Sequence, residues 1–238
     1  MFIGHFGAGF AAKAIAPRLS LGTAFLAAQF IDLLWPTFLL LGWESVRIAP
    51  GATAVTPLVF EHYPLTHSLL AVLLWALALA GGYAWLRQQA RSALVLGVLV
   101  VSHWLLDALV HVPDLPLAPG DSLQVGLGLW QSKAATLAVE IPLFALGVWL
   151  YARSTRARDG IGRWGLVGLV TLLAVIHAGN LFGPPPPDVG ALAWVGQAQW
   201  LLVAFGYWVD AHRWSRLPGA EAGPVGDPLR PAIDRPGA

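Results

Sequence analysis

Six apolar runs, each close to the length of a membrane crossing, constrain this chain more than any other feature. They fall at about 19–42, 66–86, 92–111, 134–152, 164–182 and 191–210. A helix needs roughly 20 apolar residues to cross the hydrocarbon core, so the pattern predicts six transmembrane helices. Composition agrees: 57% of the 238 residues are apolar and 11% charged, against about 25% charged in an ordinary soluble domain. A water-soluble fold would have to hide more apolar surface than these polar residues could cover. The expected fold class is all-α, an integral membrane helical bundle. A shorter opening segment, Phe2 to Ala16, ends at Pro17 and lacks the cleavage site of a signal peptide, so it reads as a seventh helix only partly inserted. Its Gly and Ala spacing suits close helix packing. Residues 1–216 are expected to form the transmembrane domain, and 217–238, rich in Pro, Gly and single charges, a disordered cytoplasmic tail.

Orientation follows from Lys and Arg, which are retained on the cytoplasmic side near helix ends. Along a six-helix path, twelve of the fourteen basic residues, from Lys13 and Arg18 to Arg230 and Arg235, fall on one side, and only Arg47 and Lys133 on the other. The expected location is therefore an inner (cytoplasmic) membrane, with the C-terminus cytoplasmic. A net charge of +1 distributed by membrane side implies no nucleic-acid partner. Most Trp residues, including Trp43, Trp85, Trp130, Trp164 and Trp214, lie near span boundaries and read as an interfacial belt.

Ionisable groups inside spanning helices cost about 2.5–3.5 kcal/mol each, so each needs a partner or a function. Asp32 sits in QFIDLLWP, His67 in HYPLTHSLL, His103 and Asp107 in SHWLLD, Glu140 in the fourth span and His177 in the fifth. At 1.5 Å per helical residue, counting from the basic ends places His5, Asp32, His103 and Glu140 at about 20 Å and Asp107 at about 24 Å. These residues share a level in the outer half of the bundle. The same count from Arg87 puts His67 higher, at about 30 Å, near the outer interface. His103 and Asp107, four residues apart, occupy one helical face, and His111 is expected one turn further along it. An imidazole and a carboxylate at that spacing can hold a metal ion together, and with no Cys the ligands must be His and carboxylate. Other readings apply at the margins. Glu140 either joins the site or satisfies groups freed by the Pro142 kink; His177 and Asn180 suit interhelical hydrogen bonding; His62 lies in the outer loop; Asp210 and His212 are interfacial. Thr66-His67-Ser68 also suits a helix N-cap.

The order of His5, Asp32, a T-H-S tripeptide at 66–68 and HxxxD at 103–107 resembles the membrane-bound metal-dependent hydrolases of the YdjM-like type. The same order is similar to that of zinc-dependent phospholipase C and the S1/P1-type nucleases. Carried over by motif, the resemblance implies a zinc ion held by Asp32, His67, His103 and Asp107. Asp107 would bridge to a second ion at His5, and His111, with Glu140 as a further candidate, could take part in an additional site. Catalysis would rest on Asp32, as ligand or general base, and on Asp107. The implied function is hydrolysis of a lipid or lipid-linked ester or phosphoester from the extracytoplasmic side, with membrane lipids as partners. The alternative is a proton- or metal-ion transporter using the same cluster.

Overall fold

A computed structural model describes residues 1–217. The tail expected from Leu217 onward lies, beyond that first residue, outside the described residues. The fold is the expected all-α membrane bundle. Among the described residues, five helices are long and apolar enough to cross a membrane: α5 (Leu69–Arg87), α6 (Ala90–Val110), α7 (Lys133–Ser154), α8 (Gly160–Phe182) and the segment Val189–Ala211, which comprises α9 (Val189–Gln197) and α10 (Gln199–Ala211). The first expected span is not continuous. It is split into α2 (Leu21–Ala28) and α3 (Phe30–Leu40), bent by 56° at Gln29. Counting that pair as one span gives six. Apolar side chains cover the outside: Leu77, Leu94 and Leu201 are 70%, 69% and 71% exposed. An apolar surface of this kind is at home in lipid.

Local chemistry sets most helix starts. Ser20, Ser68, Ser132, Asp159 and Asp188 each accept a hydrogen bond from the backbone N–H three residues on, capping α2, α5, α7, α8 and α9. The cap of α5 is therefore Ser68, which releases Thr66 for another role. Pro64 opens the one-turn α4 (Pro64–His67), where its missing N–H costs nothing.

The opening helix α1 (Ile3–Ile15) runs through the interior, with Phe6 and Phe10 fully buried. It packs on α7, α2 and α6. Close approach to α7 depends on two glycines: a Cβ at Gly7 would sit 2.8 Å from the Leu143 carbonyl, and one at Gly147 would collide with the Gly7 carbonyl. Lys13 corrects the charge count. It is buried and donates to Leu19 O and Asp210 Oδ2, while Tyr151 donates to Asp210 Oδ1. Lys13 and Asp210 thus form an internal ion pair, not interfacial charges. His212 instead pairs with Asp159.

Short antiparallel strand pairs close the ends. β1 (Ser45–Ile48) pairs with β2 (Leu58–His62), and β3 (Leu115–Pro116) with β4 (Gln124–Val125), at the end away from most arginines. At the arginine-rich end β5 (Thr155–Ala157) pairs with β6 (Arg213–Ser215).

Candidate metal centre

Five helices deliver ionisable side chains to one place. α1 supplies His5, α3 Asp32, α4 His67, α6 both His103 and Asp107, and α7 Glu140. All but Asp32 are buried, and Asp32 is partly so. Two groups have ligand atoms mutually within 4.8 Å: Asp32, His67 and His103; and His5, His103 and Asp107.

The imidazole tautomers follow from the partners. His103 Nδ1 lies 2.6 Å from the Ala28 carbonyl, which can only accept, so Nδ1 carries the proton. That carbonyl faces outward because α2 ends there, at the bend. In neutral His103, Nε2 is then a bare lone pair. It lies 3.1 Å from Asp107 Oδ2 and 3.5 Å from Asp32 Oδ2, without an aligned hydrogen bond. His67 has the same arrangement by a different route. Thr66 Oγ1 donates its one proton to Glu44 Oε2 at 2.7 Å, so at its other contact, 2.7 Å from His67 Nδ1, it accepts. His67 Nε2 is left facing Asp32 Oδ1 at 3.3 Å and Asp107 Oδ2 at 3.9 Å. In the neutral rings, two lone pairs turned toward two carboxylates repel, and either a metal ion among them or protonation of the imidazoles relieves that repulsion. The donor set, two nitrogens and two carboxylates, fits zinc.

Asp107 divides its oxygens. Oδ2 faces His67 and His103, while Oδ1 accepts from the Met1 amino nitrogen at 2.6 Å and contacts His5 Nε2 at 3.0 Å. The His5 ring stacks on His103 with centroids 3.5 Å apart. His5 Nε2 thus meets Asp107 Oδ1, and His5, His103 and Asp107 make up the second of the two ligand groups.

Several sequence expectations change. His67 descends to the level of the aspartates because the helix is interrupted at Ser68, whose backbone is extended, so the rise counted from Arg87 does not apply. His111 leaves the His103–Asp107 face because α6 stops at Val110 and His111 is itself extended. It belongs to neither ligand group. Instead His111 Nδ1 meets Asp114 Oδ1 at 2.9 Å, and Tyr63 donates to the same oxygen at 3.1 Å. Burial and the Asp114 charge push the Tyr63 phenol above its ordinary range, so it remains a donor. Glu140 lies outside both ligand groups: its Oε2 accepts from the backbone N–H of Phe2 and of Gly4, at the positive N-terminal end of α1. His62 is exposed at the end of β2. The Trp130 ring centroid lies 4.3 Å from that of His111. Neither ring nitrogen of His177 has a hydrogen-bond partner, so the interhelical bond expected of it is absent.

The centre forms the floor of a cavity of about 460 Å³ that includes Asp32, His67 and Asp107, with walls from Trp35, Phe60 and Trp130. Glu44, Asp114 and the Ala28 carbonyl were not singled out from the sequence. Glu44 and the Ala28 carbonyl act through residues distant in the chain, whereas Asp114 meets His111 three residues before it, once α6 has ended. The chain matches no family model, no curated protein and no solved structure.

Proposed function

We propose that this chain is an integral-membrane, metal-dependent hydrolase acting on a lipid or lipid-linked ester or phosphoester. The observation that carries the reading is the convergence of the Nε2 atoms of His67 and His103 on the carboxylates of Asp32 and Asp107. These four residues would hold zinc. When bound, that ion polarises a substrate oxygen and lowers the pKa of a bound water toward about 7.

The chain's own residues do the rest. Ala28 O, and Thr66 with Glu44 behind it, hold the two imidazoles in the tautomer that presents Nε2. Met1 N and His5 orient Asp107 through Oδ1, leaving Oδ2 for the centre. Asp32, the most exposed member at 26%, faces the cavity and serves as ligand or as base toward water. His111, fixed by Asp114 and set among the cavity-lining aromatics, can carry a proton to or from substrate. Trp35, Phe60 and Trp130 give the cavity apolar walls against which lipid chains can pack. With most arginines at the far end, the cavity mouth is assigned to the extracytoplasmic side of an inner membrane.

The test is elemental analysis of detergent-purified protein never exposed to chelator or metal-affinity resin, for wild type and His103→Ala. About one zinc equivalent, lost on substitution, supports the centre. A wild type that stays metal-free after zinc add-back overturns it and leaves protonated imidazoles paired with the two aspartates.

One observation favours a second reading. The helix broken at Gln29, directly before Asp32, is the kind of interruption that builds ion sites in transporters. Zinc or proton flux into proteoliposomes that is abolished by Asp32→Asn would select it.

A further inference from the structure

The cavity contains a polar group that the metal centre does not use. His177 of α8 is 7% exposed, lines the cavity, and has no hydrogen-bond partner at either ring nitrogen. Its ring lies flat against Phe2, with centroids 6.3 Å apart and planes at 9°, so the ring orientation is set by packing and not by polar contacts. A buried polar group left unpaired costs about 1–3 kcal/mol. A binding site accounts for that cost, because the ligand completes the hydrogen bonds that the protein leaves open.

Two other wall residues indicate the ligand's charge. The Trp35 indole N–H, which can only donate, also lacks a partner. Lys133 supplies the cation. Its Nζ rests on the Leu181 carbonyl at 2.7 Å and lies 5.0 Å from the centroid of the Phe182 ring. Among the described residues no carboxylate lies within ion-pair distance of it, whereas Arg47, the other basic residue expected on this side, pairs with Glu61. An indole donor, an ammonium and an imidazole on one cavity call for an anion rich in acceptor oxygens. Three carboxylates line the same cavity, with partners of their own: Glu140 turns Oε2 to two backbone amides, and Asp32 and Asp107 face His67 and His103.

We propose that His177, Lys133 and Trp35 form an anion subsite that receives the phosphoryl oxygens of the substrate's head group. The subsite rests on the hydrolase reading and narrows its substrates from esters in general to phosphoesters. His177 is a binding residue here, outside the metal-ligand set.

The experiment titrates inorganic phosphate into full-length, zinc-supplemented protein in lipid nanodiscs by calorimetry, with zinc content measured on the same samples. His177→Phe keeps the ring and its stack on Phe2 and removes both nitrogens; His177→Gln restores a donor and an acceptor. The expected result is phosphate affinity about tenfold or more weaker in His177→Phe, partly recovered in His177→Gln, with zinc unchanged in both. Lys133→Met should weaken phosphate binding as well. Wild-type affinity in His177→Phe, or a zinc-loaded wild type that binds no phosphate, overturns the subsite. A wild type without zinc whose phosphate binding still depends on His177 overturns the hydrolase reading and leaves the subsite standing.

Discussion

Replacing Thr66 by Val keeps the side-chain shape and removes one hydroxyl. That hydroxyl joins two buried groups: it donates to Glu44 Oε2 and accepts from His67 Nδ1, both at 2.7 Å. The two partners do not lose equally. Glu44 Oε1 keeps the backbone N–H of Leu65 and of Thr66, each at 2.8 Å, so the carboxylate remains anchored. His67 loses its only partner at Nδ1 and becomes free to rotate or to change tautomer, which takes Nε2 off the centre. Outer partners of metal-binding histidines are worth about 10- to 100-fold in metal affinity. With Glu44 still held, the lower end applies, and zinc should bind about tenfold more weakly, or about 1.4 kcal/mol. The unpaired Nδ1–H adds a stability loss of about 1–3 kcal/mol. Competition of the purified protein against a chelator of known zinc affinity measures the first quantity, and Thr66→Ser, which retains the hydroxyl, should stay near wild type. A folded Thr66→Val protein binding zinc within about twofold of wild type would refute the idea that the relay through Thr66 holds a metal ligand.

Two further perturbations probe the scaffold away from the centre. Gly147→Ala places a methyl against the Gly7 carbonyl where α1 crosses α7, so it should destabilise the detergent-solubilised protein by about 1–3 kcal/mol. Because α1 carries His5, zinc content should fall with it; an unchanged melting temperature would mean that the two helices separate without penalty. At the arginine-rich end, the hydrogen bond from His212, and then that from the Gly162 N–H, hold the Asp159 carboxyl below its ordinary range. A depressed carboxylate contributes stability above its unfolded pKa of about 3.9, and that contribution is lost as pH falls through the lower folded value. The melting-temperature gap between wild type and Asp159→Asn should accordingly be open at pH 6 and close below about pH 4. A gap that stays constant across that range would show that Asp159 acts without its charge.

Spanning helices were readable along the chain because hydropathy and capping are local properties. Apolar runs of crossing length and their Ser or Asp starts require no knowledge of neighbours. The level of the site was readable for a related reason: depth along a helix rises by about 1.5 Å per residue. Equal counts from the basic ends placed His5, Asp32, His103 and Glu140 together, and these residues do converge. The i,i+4 spacing likewise put His103 and Asp107 on one face.

Only the assembled structure decided what breaks that linear count and which groups meet across it. The chain bends at Gln29, with neither Gly nor Pro at the break, and so frees the Ala28 carbonyl that sets the His103 tautomer. It interrupts the helix at Ser68, dropping His67 to the level of the aspartates, and ends α6 before His111, which pairs with Asp114 instead. Glu44, from the loop before β1, reaches Thr66 by the same kind of long-range folding. Periodicity and spacing describe one helix at a time, whereas a metal centre is made of lone pairs aimed at a common point from several helices. That aim comes from packing, chain breaks and hydrogen-bond partners far apart in sequence.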